Sequence, residues 1–205
     1  MIPSSRLRTV LALLAACLVA AGCASTLPSK FYTLTPMNAV NATAGVTPVE
    51  EGDVLAVGPV RLPDYLDRPQ IMTRSEGNEI RMAETERWAG SLEEDVSRVL
   101  VENLSSLLSG KHVAVVRWSS AMQTMAPFQK RLAVEVLRFE GPLGGTVILK
   151  ARYALLGPDG KKVISAGESI VREPASGSDY ESLTAAMSRA LATFSRDVDA
   201  AVLAR

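Results

Sequence analysis

The hydrophobic pattern of the chain predicts two amphipathic helices. Apolar residues recur every three or four positions after Ser91 and again after Ser178, which is the spacing of one helical face. Each stretch also has a glutamate three residues after its serine, at Glu94 and Glu181, and this is the spacing of a capping box. Gly110 marks the end of the first helix.

Strand-like runs, in which apolar residues alternate with polar ones or form short blocks, occupy most of the remaining chain. They are 31–34, 54–60, 71–73, 79–82, 112–118, 132–140, 146–156 and 162–172. Turns at 75–78 and 157–160 each close a hairpin. Pro59 favours an edge position or a bulge for its strand, and 36–53 reads as a loop or linker. Together these elements predict an α/β (α+β) fold, a two-layer sandwich with two amphipathic helices on one face of a mainly antiparallel sheet.

The first 22 residues are typical of an export signal. Arg6 and Arg8 precede an apolar run of 13 residues, which small residues and Cys23 follow. That run is too short to span a bilayer as a helix. The Gly22-Cys23 pair is similar to the lipobox of bacterial lipoproteins, whose cysteine receives acyl chains. We therefore expect a signal peptide over 1–22, acylation of Cys23, a tether over 23–30 and a single domain over 31–205.

A second cysteine offers an alternative acylation site. Leu14 stands three residues before Cys17, where lipoboxes favour leucine, whereas Ala20 holds that position before Cys23. Cleavage at Cys17 would shorten the apolar run to about eight residues, near the lower limit for an export signal. Cys23 is therefore the preferred hypothesis.

Composition narrows the classes of chemistry and partner. From Cys23 onward 183 residues remain, the length of one domain, with no second cysteine for a disulfide. Such an exported domain has to rely on its hydrophobic core. Without Arg6 and Arg8 the chain has 20 basic and 22 acidic residues, a net charge of −2, so no nucleic-acid partner is expected.

The sequence offers little for catalysis or metal binding. His112, the single histidine, lies in a predicted strand without a neighbouring cysteine or carboxylate motif. Glu93, Glu94 and Asp95 suit the first turn of a helix, where negative charge offsets the helix dipole. We therefore predict no catalytic residue, no metal and no cofactor other than covalent acyl chains on Cys23, and interpret the chain as a non-enzyme.

A short proline-bounded segment is the candidate for partner binding. Asp64, Tyr65, Leu66, Asp67 and Arg68 combine an aromatic, an aliphatic and an arginine, which are typical of binding hot spots. Equally, the segment is consistent with a structural corner in which Tyr65 packs inward and Arg68 pairs with Asp64 or Asp67. Trp88 is a further candidate contact, although packing as a hydrophobic staple before the first helix is the preferred interpretation.

Three segments carry a family resemblance. Residues 31–34, 57–71 and 86–94 resemble, in order and spacing, the ABC-type transport auxiliary lipoproteins, which include the PqiC family. The resemblance implies an outer-membrane lipoprotein, facing the periplasm, that docks an MCE-domain (mammalian cell entry) protein in a lipid transport system with an inner-membrane permease. Ala24 and Ser25, rather than aspartate, follow Cys23, which favours the outer membrane. A ring-shaped partner also makes a homo-oligomeric ring plausible.

Other functions compatible with the sequence are a lipid carrier with its own acyl-chain cavity, a structural lipoprotein supporting envelope integrity and, formally, a hydrolase. For the apolar stripe of the last helix, the preferred interpretation is core and the alternative is a lipid-binding face. The stripe consists of Tyr180, Leu183, Met187, Leu191, Phe194, Val198 and Val202.

Overall fold

The computed structural model describes residues 27–37, 53–75, 77–120 and 128–203. The predicted signal, Cys23 and most of the predicted loop at 36–53 lie outside these ranges. The strands are β1 (Lys30–Tyr32), β2 (Asp53–Arg61), β3 (Gln70–Arg74), β4 (Ile80–Trp88), β5 (Val113–Arg117), β6 (Lys130–Glu140), β7 (Thr146–Leu156) and β8 (Val163–Pro174), and the helices are α1 (Leu92–Leu107) and α2 (Tyr180–Leu203).

The strands form two sheets. A five-stranded sheet has the order β5-β2-β6-β7-β8, and a three-stranded sheet has the order β1-β4-β3. The pairs β6-β7, β7-β8 and β3-β4 are antiparallel, as expected of hairpins and of a chain that returns on itself. However, β2 runs parallel to both β5 and β6, and β1 runs parallel to β4. The α+β class is confirmed, and the sheets are mixed.

Pro59 lies in a central strand, between β5 and β6. The β2-β6 register shifts between Val57 and Val60, so the proline occupies an irregularity in the ladder. The predicted bulge is therefore confirmed and the alternative edge position is not. A proline is tolerated at this point because the shifted register removes the need for its missing N–H donor.

Both helices pack on one face of the five-stranded sheet. Helix α1 contacts β2 and β5, α2 contacts β7 and β8, and the helices contact each other. Along β7, buried side chains alternate with half-buried or exposed ones, which is the predicted one-sided pattern. The α2 stripe joins this core: Leu183, Met187, Leu191, Phe194, Val198 and Val202 are all buried. The core interpretation of the stripe is thus confirmed, and these six side chains do not form an exposed lipid-binding face.

The two helix starts differ in how well the sequence predicted them. Ser91 is the N-cap of α1, and its side chain accepts a hydrogen bond from the backbone N–H of Glu94 at 3.5 Å. At α2 the capping residue is Asp179, which accepts from the N–H of Ser182 at 2.7 Å. The predicted box of Ser178 and Glu181 is therefore wrong by one residue. Asp179 stands one position after Ser178 and accepts from the unpaired backbone N–H groups of the first helical turn. Its ionised carboxylate is a stronger acceptor than a serine hydroxyl.

Candidate functional site

The described chain begins four residues after Cys23, so acylation of this cysteine stays a prediction. Among the described residues, none of the helices combines the length and apolar character that crossing a bilayer requires. The first residues that can be placed are therefore those that lead from the predicted anchor into the domain.

This N-terminal segment is fastened to α1 by a carboxylate. Asp95 accepts hydrogen bonds from the Thr33 hydroxyl at 3.0 and 3.1 Å and from the Leu34 backbone N–H at 2.5 Å. Arg98, which pairs with Asp95, donates to the Leu34 carbonyl at 2.7 Å. The Leu34 side chain is buried in the core. These charge-assisted hydrogen bonds hold the backbone of the N-terminal segment in place, next to the buried Leu34 side chain.

The same segment is also bonded to α2. Ser188 on α2 accepts from the Thr35 N–H at 3.0 Å, and Asn103 on α1 accepts from the Met37 N–H at 2.8 Å. The Asn103 amide in turn donates to Ser195 at 3.1 Å in the fully buried contact between the helices. Residues 33–37 therefore lie fixed across both helices. We call this segment, 33–37, the clamp.

The candidate binding segment, Asp64–Arg68, forms a tight corner between β2 and β3. Its backbone is closed by bonds from the Leu66 N–H to the Pro63 carbonyl and from the Arg68 N–H to the Leu66 carbonyl, both 2.9 Å. Leu66 is buried and Tyr65 half-buried, whereas Asp64, Asp67 and Arg68 are exposed. The two hypotheses for this segment therefore apply to different side chains, since some are structural and others face solvent.

A buried carboxylate holds the corner in place. Glu140, at the end of β6, is fully buried and accepts a hydrogen bond from the Tyr65 hydroxyl at 2.7 Å. Arg74, at the end of β3, donates to the other carboxylate oxygen at 2.7 Å. The Nε of Arg138 lies 2.9 Å from that oxygen as an ion pair. A backbone bond from Arg74 to Gly141 runs alongside. Glu140 thereby joins the three-stranded sheet, the five-stranded sheet and the corner.

The protonation of Tyr65 responds to this environment. Burial and the hydrogen bond to Glu140 raise the pKa of Tyr65 to about 12. The folded state therefore favours the neutral phenol, and its stabilisation is complete below the unfolded pKa near 10 and lost as pH rises through 12.

We expect Tyr65→Phe to lower the free energy of unfolding by about 1 kcal/mol at neutral pH, because one buried hydrogen bond is lost. The difference from wild type should be constant up to about pH 9 and shrink above pH 10. Urea unfolding at several pH values measures it. A difference that grew above pH 10 would contradict the Tyr65-Glu140 bond.

The exposed charges of the corner have no ion-pair partner among the described residues. The expected pairing of Arg68 with Asp64 or Asp67 is therefore not observed there. Trp88 is buried at the end of β4, and its backbone N–H donates to the Pro69 carbonyl at 2.7 Å. Its packing is confirmed, but Gly90 holds the position before the Ser91 cap, so Trp88 is not a hydrophobic staple.

The remaining candidate residues take structural positions. His112 is exposed, with φ of 55°, in the turn that precedes β5 rather than in the strand. Glu93, Glu94 and Asp95 occupy the first turn of α1, as predicted. Sequence reasoning missed the second role of Asp95 in the clamp, and it missed Glu140 entirely. In the described parts of the chain, histidine, cysteine and carboxylate side chains form no group of three that could hold a metal ion.

Comparison with known proteins assigns the family. The sequence-family model described as ABC-type transport auxiliary lipoprotein component matches residues 32–199, which include the clamp, the corner and Glu140. The chain belongs to this family. Family membership confirms the resemblance seen in the N-terminal half and extends it into α2.

Named relatives and solved structures agree with this assignment. The auxiliary lipoprotein is 30% identical over 135 residues to the intermembrane transport lipoprotein PqiC of Escherichia coli, covering 66% of this chain and 67% of the relative. The PqiC of Shigella flexneri matches equally. A crystal structure of a Xanthomonas campestris protein has a TM-score of 0.65 at 20% identity, over 86% of this chain and 95% of that one. An uncharacterised protein reaches a TM-score of 0.68 at 20% identity, over 86% and 99%. These structures share the fold.

Proposed function

We propose that this auxiliary lipoprotein is a non-enzymatic outer-membrane component of an MCE-type intermembrane lipid transport system. Acyl chains on Cys23 would hold it in the membrane, and its folded domain would dock or stabilise the periplasmic MCE assembly, with an inner-membrane permease completing the system. Family membership and the relatives named as intermembrane transport lipoproteins support the transport role. The observation that carries the docking role is a solvent-facing corner fixed from behind by a buried carboxylate.

Some side chains of the corner support its backbone, and others face solvent, where a partner can contact them. Tyr65 and Leu66 face the interior of the domain and fix the backbone. The corner therefore loses little conformational entropy when it binds a partner. Asp64, Asp67 and Arg68 project into solvent with their charges uncompensated by described neighbours. Such charges steer and align a partner of complementary charge. Arg68 is the strongest candidate contact, because arginine forms bidentate bonds with carboxylates and is enriched in hot spots.

The clamp connects this contact to the membrane. Phe31 is eight positions after Cys23, so at full extension the chain between them reaches about 28 Å. Because 33–37 are bonded to both helices, the domain cannot move further from the bilayer by releasing chain without breaking those bonds. A partner held at the corner would therefore stay within a limited distance of the membrane.

Reversal of the Arg68 charge tests the docking role. We expect Arg68→Glu to weaken binding of an MCE-domain protein about tenfold, a typical effect for a charged contact within a binding hot spot. Tagged protein would be recovered from gently detergent-solubilised envelopes, and the MCE-domain partner quantified by mass spectrometry. Wild-type protein should recover that partner and Arg68→Glu little of it.

Arg196→Glu is the matched control. Arg196 is likewise exposed, lies on α2 and has no ion pair among the described residues. Its reversal makes the same change in net charge and should leave partner recovery unchanged. If wild type recovered no MCE-domain protein, the proposed function would fail. If both reversals reduced recovery equally, net charge rather than the corner would be responsible.

A further inference from the structure

Two apolar side chains stand exposed between the predicted anchor and the clamp. Leu27 is 73% exposed and Phe31 is 65% exposed. Phe31 lies on β1, one of the two edge strands of the three-stranded sheet, opposite Arg87. Its neighbour Tyr32 points the other way, toward Tyr180 at a ring distance of 6.5 Å. Phe31 therefore faces away from the domain core, although its backbone is held by the sheet.

The chain length places these side chains near the lipid. Leu27 is four residues from Cys23 and Phe31 is eight, which limits their reach to about 14 and 28 Å. The clamp begins two residues after Phe31 and is bonded to α1. An acylated Cys23 therefore keeps both apolar side chains close to the membrane surface while the clamp orients Phe31.

We propose that Leu27 and Phe31 insert into the interface of the phospholipid bilayer beside the acylated cysteine and set the orientation of the domain on the membrane. This inference rests on the proposed acylation of Cys23 and adds a second, non-covalent contact. An amphipathic surface that buries apolar side chains at the headgroup boundary gains free energy in proportion to the buried area. Two contacts fix an orientation that a single flexible tether leaves free.

The charges around β1 indicate what kind of lipid contact this is. Lys30 is exposed between the two apolar residues. Burial and the carboxylates of Glu86 and Glu181 raise the pKa of Tyr32, so acidic groups lie on the side facing the domain. Lys30 lies in register with Glu86 on the neighbouring strand, so the carboxylate offsets its charge, whereas Leu27 and Phe31 supply exposed apolar area. We therefore assign the contact mainly to apolar burial. It should form on zwitterionic vesicles and persist at high salt.

A single introduced thiol tests the contact in the full-length acylated protein. Acylation blocks the Cys23 sulfur and removal of the signal removes Cys17, so Phe31→Cys supplies the one free thiol. It would be labelled with an environment-sensitive fluorophore and reconstituted into phosphatidylethanolamine-phosphatidylcholine vesicles. We expect a blue shift and strong quenching by lipids brominated near the headgroup. Raising the salt concentration should not reverse either signal.

Val163→Cys is the matched control. Val163 is 58% exposed and starts β8, whose other end, at Pro174, lies close to the start of α2 where Tyr32 packs. Eleven residues of strand place Val163 about 36 Å from that end. A probe there should show neither shift nor quenching.

The possible outcomes separate the two proposals. Intact mass of the labelled sample reads acylation directly, and its absence would overturn the proposed anchor and this inference with it. On acylated protein, a Phe31 probe that behaves like the Val163 probe overturns only the membrane contact. A blue shift that depends on protein concentration and is not quenched by brominated lipid also overturns it, since a second copy of the chain would then cover Phe31.

Discussion

Replacing Glu140 with alanine is expected to lower the free energy of unfolding by about 3 kcal/mol, the lower end of the cost of breaking a buried ion pair, because its arginine partners are partly exposed. Glu140 is fully buried, and its removal leaves Arg74 and Arg138 without their carboxylate partner and Tyr65 without its acceptor. The side chains of Arg74 and Arg138 stay 21% and 32% exposed, so solvent offsets part of their lost pairing. The Tyr65 hydroxyl and the buried Phe139 N–H lose their acceptor and add to the cost. Chemical denaturation monitored by circular dichroism measures the change.

Glu135→Ala is the control for this measurement. Glu135 lies on the same strand, but its side chain is 58% exposed. Its one ion pair among the described residues, with Arg152, is long at 3.9 Å. Its removal should cost less than about 1 kcal/mol, as for other surface pairs. Similar losses for the two variants would show that Glu140 does not join the sheets and the corner. Glu140→Ala should also reduce partner recovery, because the corner backbone loses its support.

The importance of Glu140 could not be predicted from the sequence. Its partners Tyr65 and Arg74 are 75 and 66 positions away along the chain, so no local pattern brings the three together. A glutamate at the end of an alternating strand is usually solvent-exposed. The corner itself was recognisable, because two prolines and a compact mix of residue types mark it. Which of its side chains face inward depended on the distant carboxylate.

The fold was predictable where periodicity was strong. Both helices and the β6-β7-β8 hairpins appear at nearly the predicted positions, since each has a clear stripe or alternation bounded by turn residues. The parallel pairing of β2 with β5 and β6 was missed, because it joins segments distant in sequence through α1 and leaves no local signal. Likewise β1 ends at Tyr32 rather than at Leu34, because Thr33 and Leu34 donate hydrogen bonds to Asp95 instead of continuing the strand.

Substitution of Cys23 is expected to have the largest effect on location. Cys23→Ser removes the sulfur that would carry the acyl chains, so protein that is membrane-bound in the wild type should become releasable in soluble form. Metabolic labelling with a radioactive fatty acid should fall to background at the same time. Membrane fractionation on a density gradient measures membrane association and also reports whether the wild-type protein enters the outer-membrane fraction.

Cys17→Ser is the matched control, and it separates the two candidate cysteines. Cys17 lies inside the predicted signal, where serine is tolerated in place of a small apolar residue, so acylation and membrane binding should stay at wild-type levels. Loss of acylation in Cys17→Ser together with its retention in Cys23→Ser would move the anchor to Cys17. Full membrane retention of both unlabelled variants would contradict a lipid anchor at either position.

Photo-crosslinking in living cells tests docking at the corner most directly. A photoreactive amino acid at position 68 of the full-length protein should form an adduct with an MCE-domain protein, whereas the same residue at position 196 should form none. Adducts with that partner from position 196 but not from position 68 would contradict the corner as the docking surface. The absence of an MCE-domain adduct from both positions would contradict the docking role at both of the surfaces probed.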